Sequence, residues 1–143
     1  GERLTLNQIE HEILRKDFSE PRIHVAINCA SIGCPPLLPV PFLPDSIDQL
    51  LTRATREFAA TQSHNIIDAN EKEARISSIF DWYGDDFIEK YYQAGRYPAL
   101  SHKKSAALSF LIAHLSAEQA ASLSNLDFKV SYLDYDWSLN DLK

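Results

Sequence analysis

Five of the seven prolines in this 143-residue chain fall between Cys29 and Pro44, at positions 35, 36, 39, 41 and 44, and Gly33 stands among them. Each proline removes a backbone donor, fixes its own φ and pushes the preceding residue out of the helical region. The stretch can therefore be neither a helix nor an inner strand, and it predicts a stiff, extended loop. A loop of that length is unusual without a purpose. Whatever precedes and follows it must form the core.

Thr5 and Gln8 make a capping box, and Leu6, Ile9 and Ile13 recur at helical spacing, which predicts a helix from about Leu6 to Lys16. Pro21 stops anything helical, and the segment from Arg22 to Asn28, apolar in its middle, reads as a largely buried strand. Ser46 and Gln49 form a second capping box before a helix to about Thr61, with Ile47, Leu50, Leu51, Ala54 and Phe58 on one face. Residues 65–68 and 73–76 flank Ala69-Asn70-Glu71-Lys72 as a hairpin would. Ser77 or Ser78 opens a short turn through Trp82, and helices follow at about Asp86 to Gln93, closed by Gly95, and at Leu100 to Leu115. A third capping box, Ser116 with Gln119, opens a short helix, and residues 128–133 alternate as a closing strand. Helices and strands are mixed without βαβ regularity, so the expected class is α+β, a few mostly antiparallel strands with helices packed on them in one domain over residues 1–143.

The chain carries 14 Lys and Arg against 20 Asp and Glu, a net charge of −6, with the basic residues scattered, so a phosphate backbone finds little to hold and nucleic acid is not an expected partner. The richest apolar run, Ala106 to Leu115, is too short and too interrupted to span a bilayer. Methionine is absent, so Gly1 is expected not to be the start of translation, and the lack of a leader in this sequence assigns no compartment.

Chemistry-bearing side chains crowd into the first quarter: Glu10, His11 and Glu12, then His24, Asn28, Cys29, Ser31 and Cys34. On a strand, His24 and Asn28 share a face, as the base and the amide that orients it do in a thiol hydrolase, and Cys29 supplies a nucleophile. The opposing expectation is structural: His24 hydrogen-bonded in the interior, and the two cysteines, five apart, buried or joined as a disulfide. A metal site from His11, His24, Cys29 and Cys34 is a third alternative, but Cys-x₄-Cys departs from the usual knuckle spacing, and no metal or other cofactor is assigned. His64, His102 and His114 are expected to be solvated, Asp81, Asp85 and Asp86 to be caps, and Trp82, Tyr83, Phe87, Tyr91 and Tyr92 to form core and rim.

Four blocks in order, residues 9–15 (IEHEILR), 22–37 (RIHVAINCASIGCPPL), 78–87 (SIFDWYGDDF) and 135–140 (YDWSLN), resemble the domain-of-unknown-function 547 family. Members carry an upstream helical segment with a Trp-Ile-Asn-x-Tyr-Asn stretch that nothing here matches, so the chain resembles the C-terminal portion of such a domain. The resemblance implies that His11, His24, Asn28, Cys29, Ser31 and Cys34 fall in family motifs, that an upstream segment could share the site, and that the protein leans to the periplasm or cell exterior. Two functions follow as expectations. One is a non-catalytic binding or scaffolding module in which Ser31, Cys34 and the loop side chain Phe42 contact a partner protein or the upstream segment. The alternative is a thiol-dependent hydrolase or acyl-transferase with Cys29 attacking, His24 as base, Asn28 orienting it, and His11 nearby.

Overall fold

The computed structural model describes residues 3–124 and 128–141. Helix α1 is continuous through an α-helical Leu6–Gln8, a π-helical Ile9–Leu14 and an α-helical Arg15–Asp17. Thr5 and Gln8 close the capping box reciprocally, so the first backbone donors are satisfied before any tertiary contact is made.

The segment expected to be a strand is instead a 3₁₀ helix, Pro21–Val25. Two local causes are visible. Proline at the first position presets the helical φ, and the Glu20 carboxylate accepts from the Arg22 amide at 3.2 Å, capping the turn. Val25, fully buried, anchors this turn in the core. From Ala26 to Ser46 there is no further helix or strand, as the prolines require, apart from a single antiparallel bridge between Ser31 and Leu139. Leu38 pins the loop by packing on Leu51 and Ala54, whereas Leu37, Val40, Phe42 and Leu43 stay exposed.

Helix α2 spans Ile47–Ala60 and buries Leu51, Ala54, Thr55, Phe58 and Ala59. Ser46 precedes it, but its hydroxyl turns back to the Leu43 carbonyl at 3.4 Å rather than capping the helix, so the expected second capping box does not form. Strands β1 (Asn65–Asp68) and β2 (Glu73–Ile76) pair antiparallel, and Asp68 Oδ1 accepts the amides of Asn70 and Glu71 to shape the turn between them. Helices α3 (Ile79–Trp82), α4 (Gly84–Tyr91), α5 (His102–His114) and α6 (Ala117–Leu123) follow, with Ser101 and Ser116 capping the last two. Strand β3 (Lys129–Tyr132) then joins β2 in parallel, giving the sheet order β1-β2-β3 with one antiparallel and one parallel pairing. The class is α+β.

Helix α5 is buried without a break from Ser105 to Leu111, which explains why its sequence is apolar all round. Phe110 on α5 meets Phe80 of α3 at 5.6 Å, Phe87 of α4 at 5.0 Å and Tyr91 of α4 at 5.1 Å, each edge-on. This aromatic junction, worth roughly 0.5–1.5 kcal/mol per pair beyond area burial, fixes α3 and α4 relative to α5. It thereby holds two further side chains, Trp82 and Asp86, where the site needs them.

Candidate functional site

The four motif blocks, widely separated in sequence, converge on one cleft of about 220 Å³. Glu10 comes from α1, His24 from the 3₁₀ turn, Cys29 and Cys34 from the start of the loop, Trp82 and Tyr83 from the end of α3, and Tyr135 and Trp137 from the segment after β3.

His24 lies at the back of the cleft with a side chain that has no solvent exposure. Its Nε2 sits 2.7 Å from Asp86 Oδ2, and its ring stacks on Tyr83 at a centroid distance of 3.9 Å. Asp86 is in turn clamped by Arg15, whose Nε and Nη2 donate to its two oxygens at 2.8 and 2.9 Å. Burial pushes the imidazole below the ordinary histidine range; the hydrogen bond and charge of Asp86 act the other way but do not win. The reason is that the Asp86 charge is already shared with the Arg15 fork, which holds that carboxyl below its usual value. His24 is thus neutral with its proton on Nε2, facing Asp86. Nδ1 is left as a buried lone pair without a partner.

The Tyr83 hydroxyl donates to Glu10 Oε1 at 3.1 Å, and burial, followed by the Glu10 charge, raises the phenol above its ordinary pKa. The Tyr135 hydroxyl lies 2.8 Å from Ser31 Oγ and 3.3 Å from Cys29 Sγ. Three rings face the opening: Tyr135 lies 4.8 Å from Trp82 and 4.6 Å from Trp137, and the two indoles stack at 5.5 Å. Trp82 is 47% and Trp137 71% exposed. Exposed indoles in mutual contact are costly to leave in water unless something covers them.

Cys29 and Cys34 are joined as a disulfide, with their Cα atoms 6.0 Å apart. The turn between them holds Ala30 in the left-handed region at φ 62°, braced by Asn28 Oδ1, which accepts the Ala30 amide at 2.9 Å. The same Asn28 side chain donates to the Pro35 carbonyl at 2.9 Å. Its amide thus bonds within the loop at both ends and makes no hydrogen bond to His24; it is Asp86 that orients the imidazole.

Of the candidate residues read from sequence, the structure brings His24, Cys29 and Cys34 to one cleft. Ser31 supports the cleft from behind through Tyr135. His11 lies outside the lining, with Nδ1 3.4 Å from Arg15 Nη1 and its ring parallel to Tyr83 at 6.4 Å. Phe42 is on the exposed part of the loop, away from the cleft. Three expectations are corrected. His114 is half-buried with its ring 4.8 Å from that of Phe110, not solvated. His64 is buried and stacked on Phe58 at 4.7 Å, not solvated, and Asp86 is the partner of His24 rather than only a residue in the first turn of a helix. Trp82 and Tyr83, expected in core and rim, line the cleft together with Tyr135 and Trp137, to which no role was assigned, and the sequence signal for all four was their position in the third and fourth blocks. Among the described residues no group of three or more His, Cys, Asp or Glu side chains could hold a metal ion, and no helix is long and apolar enough to cross a membrane.

Residues 1–59 match the model of a family described as a protein of unknown function, DUF547. The match takes in the first two blocks, with His24 and both cysteines, while the aromatic blocks that complete the cleft lie beyond it. Neither the curated proteins nor the solved structures contain a match to the chain.

Proposed function

We propose that this chain is a non-catalytic binding module whose ligand site is the aromatic cleft. The observation that carries the reading is the convergence of all four blocks on one concavity with two exposed indoles, a carboxylate and a buried, unpartnered imidazole nitrogen. With the disulfide closed, Cys29 has no thiolate to offer, so binding rather than covalent chemistry suits this state. At about 220 Å³ the cleft falls below the roughly 300–1,000 Å³ of sites for drug-sized molecules, which favours a small ligand or one side chain of a larger one. The exposure of Leu37, Val40, Phe42 and Leu43 supports contact with a partner protein or an upstream segment along this loop. A disulfide on a surface turn suits an oxidising compartment, the periplasm or cell exterior.

The test is a screen of small neutral, anionic and cationic fragments read by the indole N–H resonances in proton–nitrogen NMR spectra. The sequence holds two tryptophans, and both line the cleft, so every indole signal reports on the site. Saturable shifts with any charge class support the reading. A library in which no fragment moves either indole overturns it.

A second reading, a thiol hydrolase or acyl-transferase, has one specific observation in its favour: Cys29 shares the cleft with a histidine already oriented by a carboxylate at 2.7 Å. It requires a dithiol reductant to open the disulfide first. Iodoacetamide labelling across pH after reduction distinguishes the two, because a nucleophile labels well below the ordinary thiol pKa of about 8.5 and a structural cysteine does not.

A further inference from the structure

We infer that the ligand of this cleft is a small organic cation, a quaternary or alkylated ammonium whose methyl groups pack on the Trp82, Tyr135 and Trp137 rings while Glu10 supplies the opposing charge. The inference deepens the binding reading above and rests on it. Three observations select this class.

The first is charge. Among the described residues, Glu10 is the one charged residue lining the cleft, because His24 is held neutral, and no lysine or arginine lines it. The nearby guanidinium of Arg15 lies 5.1 Å over the Tyr83 ring, but its Nε and Nη2 donate to Asp86 and its Nη1 lies 3.4 Å from His11 Nδ1. The segment that brings Tyr135 and Trp137 adds Asp134, Asp136 and Asp141 and has no basic residue after Lys129 within the described chain. An anion would meet the Glu10 carboxylate, and a cation would be drawn to it.

The second is hydrogen-bonding capacity. The Tyr83 hydroxyl is committed to Glu10, the Tyr135 hydroxyl to Ser31 and Cys29, and His24 Nε2 to Asp86. Beyond His24 Nδ1 and the second Glu10 oxygen, a sugar or another ligand rich in hydroxyls would bury donors and acceptors against groups already paired, at a cost for each one left unmade. An alkylated ammonium asks for no hydrogen bonds at all. The third is the nature of the wall. Two indoles and the Tyr135 phenol line the cleft, and indole is the strongest of the side-chain π partners for a cation. Ile27, Pro35 and Ile79 complete an apolar lining suited to methyl groups.

The probe is tetramethylammonium chloride, titrated against the disulfide-closed protein at constant ionic strength with sodium chloride and read by tryptophan fluorescence. Its comparison is 3,3-dimethylbutan-1-ol, set against choline, because the pair has the same shape and differs in charge. We expect saturable changes with tetramethylammonium and choline and binding of the neutral alcohol about ten-fold weaker, the equivalent of 1.4 kcal/mol and the size of a partly desolvated cation–π contact. Trp137→Leu keeps an apolar surface but removes the ring, and should weaken the cation about ten-fold. Trp137 is 71% exposed, so the variant should melt with the parent, which keeps the comparison free of misfolding. Glu10→Gln should weaken choline and leave the alcohol unchanged. Equal affinity for choline and the alcohol, or undiminished cation binding by Trp137→Leu, overturns the cation assignment while leaving the cleft as a binding site. If neither cation moves the indole signals but a fragment of another class does, the assignment also fails and the binding reading stands. If nothing moves them, both fail.

Discussion

Replacing Asp86 by Asn tests the keystone of the site with little change of volume. The carboxylate receives three bonds: two from Arg15 at 2.8 and 2.9 Å and one involving His24 Nε2 at 2.7 Å. The Arg15 and Asp86 side chains are 30% and 26% exposed, so the ion pair lies between a surface pair, worth about 0–1 kcal/mol, and a buried one, whose disruption costs about 3–5 kcal/mol. After discounting for solvent we assign it about 1 kcal/mol. The His24 end has no exposure, and a hydrogen bond to a charged group is worth about 1.5–3 kcal/mol, of which the remaining amide oxygen recovers part. The sum is about 2–3 kcal/mol, or a fall in Tm of roughly 8–12 °C for a chain of this size. Circular-dichroism melts at neutral pH measure it, with Asp85→Asn as control, since Asp85 is exposed on the same helix and should stay within about 0.5 kcal/mol of the parent. The His24 ring resonances provide an independent sign. Asp86→Asn removes what raises the imidazole pKa and should drive it lower still, whereas Arg15→Ala frees the carboxylate to act and should bring it up. A Tm for Asp86→Asn within about 2 °C of the control, or His24 shifts of the same sign in both variants, would refute the account of a shared charge.

Other outcomes follow from the same structure. His24, His64 and His114 all have pKa values lowered by burial, so as pH falls below the unfolded value of about 6.5 the unfolded chain takes up protons first. Stability should therefore be greatest above that pH, decline below it towards the folded-state values, and decline again below about pH 4.5 as Glu20 and Asp86, whose pKa values are depressed, are protonated; a Tm independent of pH between about 5 and 7.5 would contradict this. Gly33→Ala would place a Cβ 2.9 Å from three ring carbons of Tyr135, and that ring can give way only by shifting against the Trp82 and Trp137 indoles it packs on. We expect a loss of about 1–3 kcal/mol in urea melts together with altered tryptophan fluorescence. Cys29→Ser combined with Cys34→Ser should cost about 2 kcal/mol by the loop-entropy relation for a ring of six residues, and the parent should show no free thiol to Ellman's reagent before reduction.

Local signals in the sequence were trustworthy where the structure uses them locally. The Thr5 and Ser116 caps, the hairpin around Asp68 and the run that becomes α5 are each decided within a few residues, and each is present. Ser46 failed as a cap because its hydroxyl had an alternative acceptor in Leu43, which composition does not reveal. The segment from Arg22 to Asn28 failed for a deeper reason. An apolar run of that length is equally suited to a buried strand and to a buried helical turn, and Glu20 and Pro21, which decide between them, stand just outside it. The site was half legible. Its chemical groups near His24 are local, but the partner that orients the imidazole lies 62 residues away, and Tyr135 lies 106 residues from Cys29. No periodicity links such positions; only the ordered blocks hinted that they belong together.

The segment after β3 threads back over the loop. Ile32 N donates to Ser138 O and Gly33 N to Asp136 O, and Asn140 N donates to Ala30 O, each at 2.9 Å. On the ribosome this fixes an order of events. At about 5–20 residues per second, the 106 residues between Cys29 and Tyr135 take roughly 5–20 s to emerge. For that interval the cysteine turn is without its aromatic cover, while the disulfide, which spans five positions, needs nothing that has yet to be made. The crosslink can be in place before the cleft exists, and the last part of the described chain then closes over a floor already set.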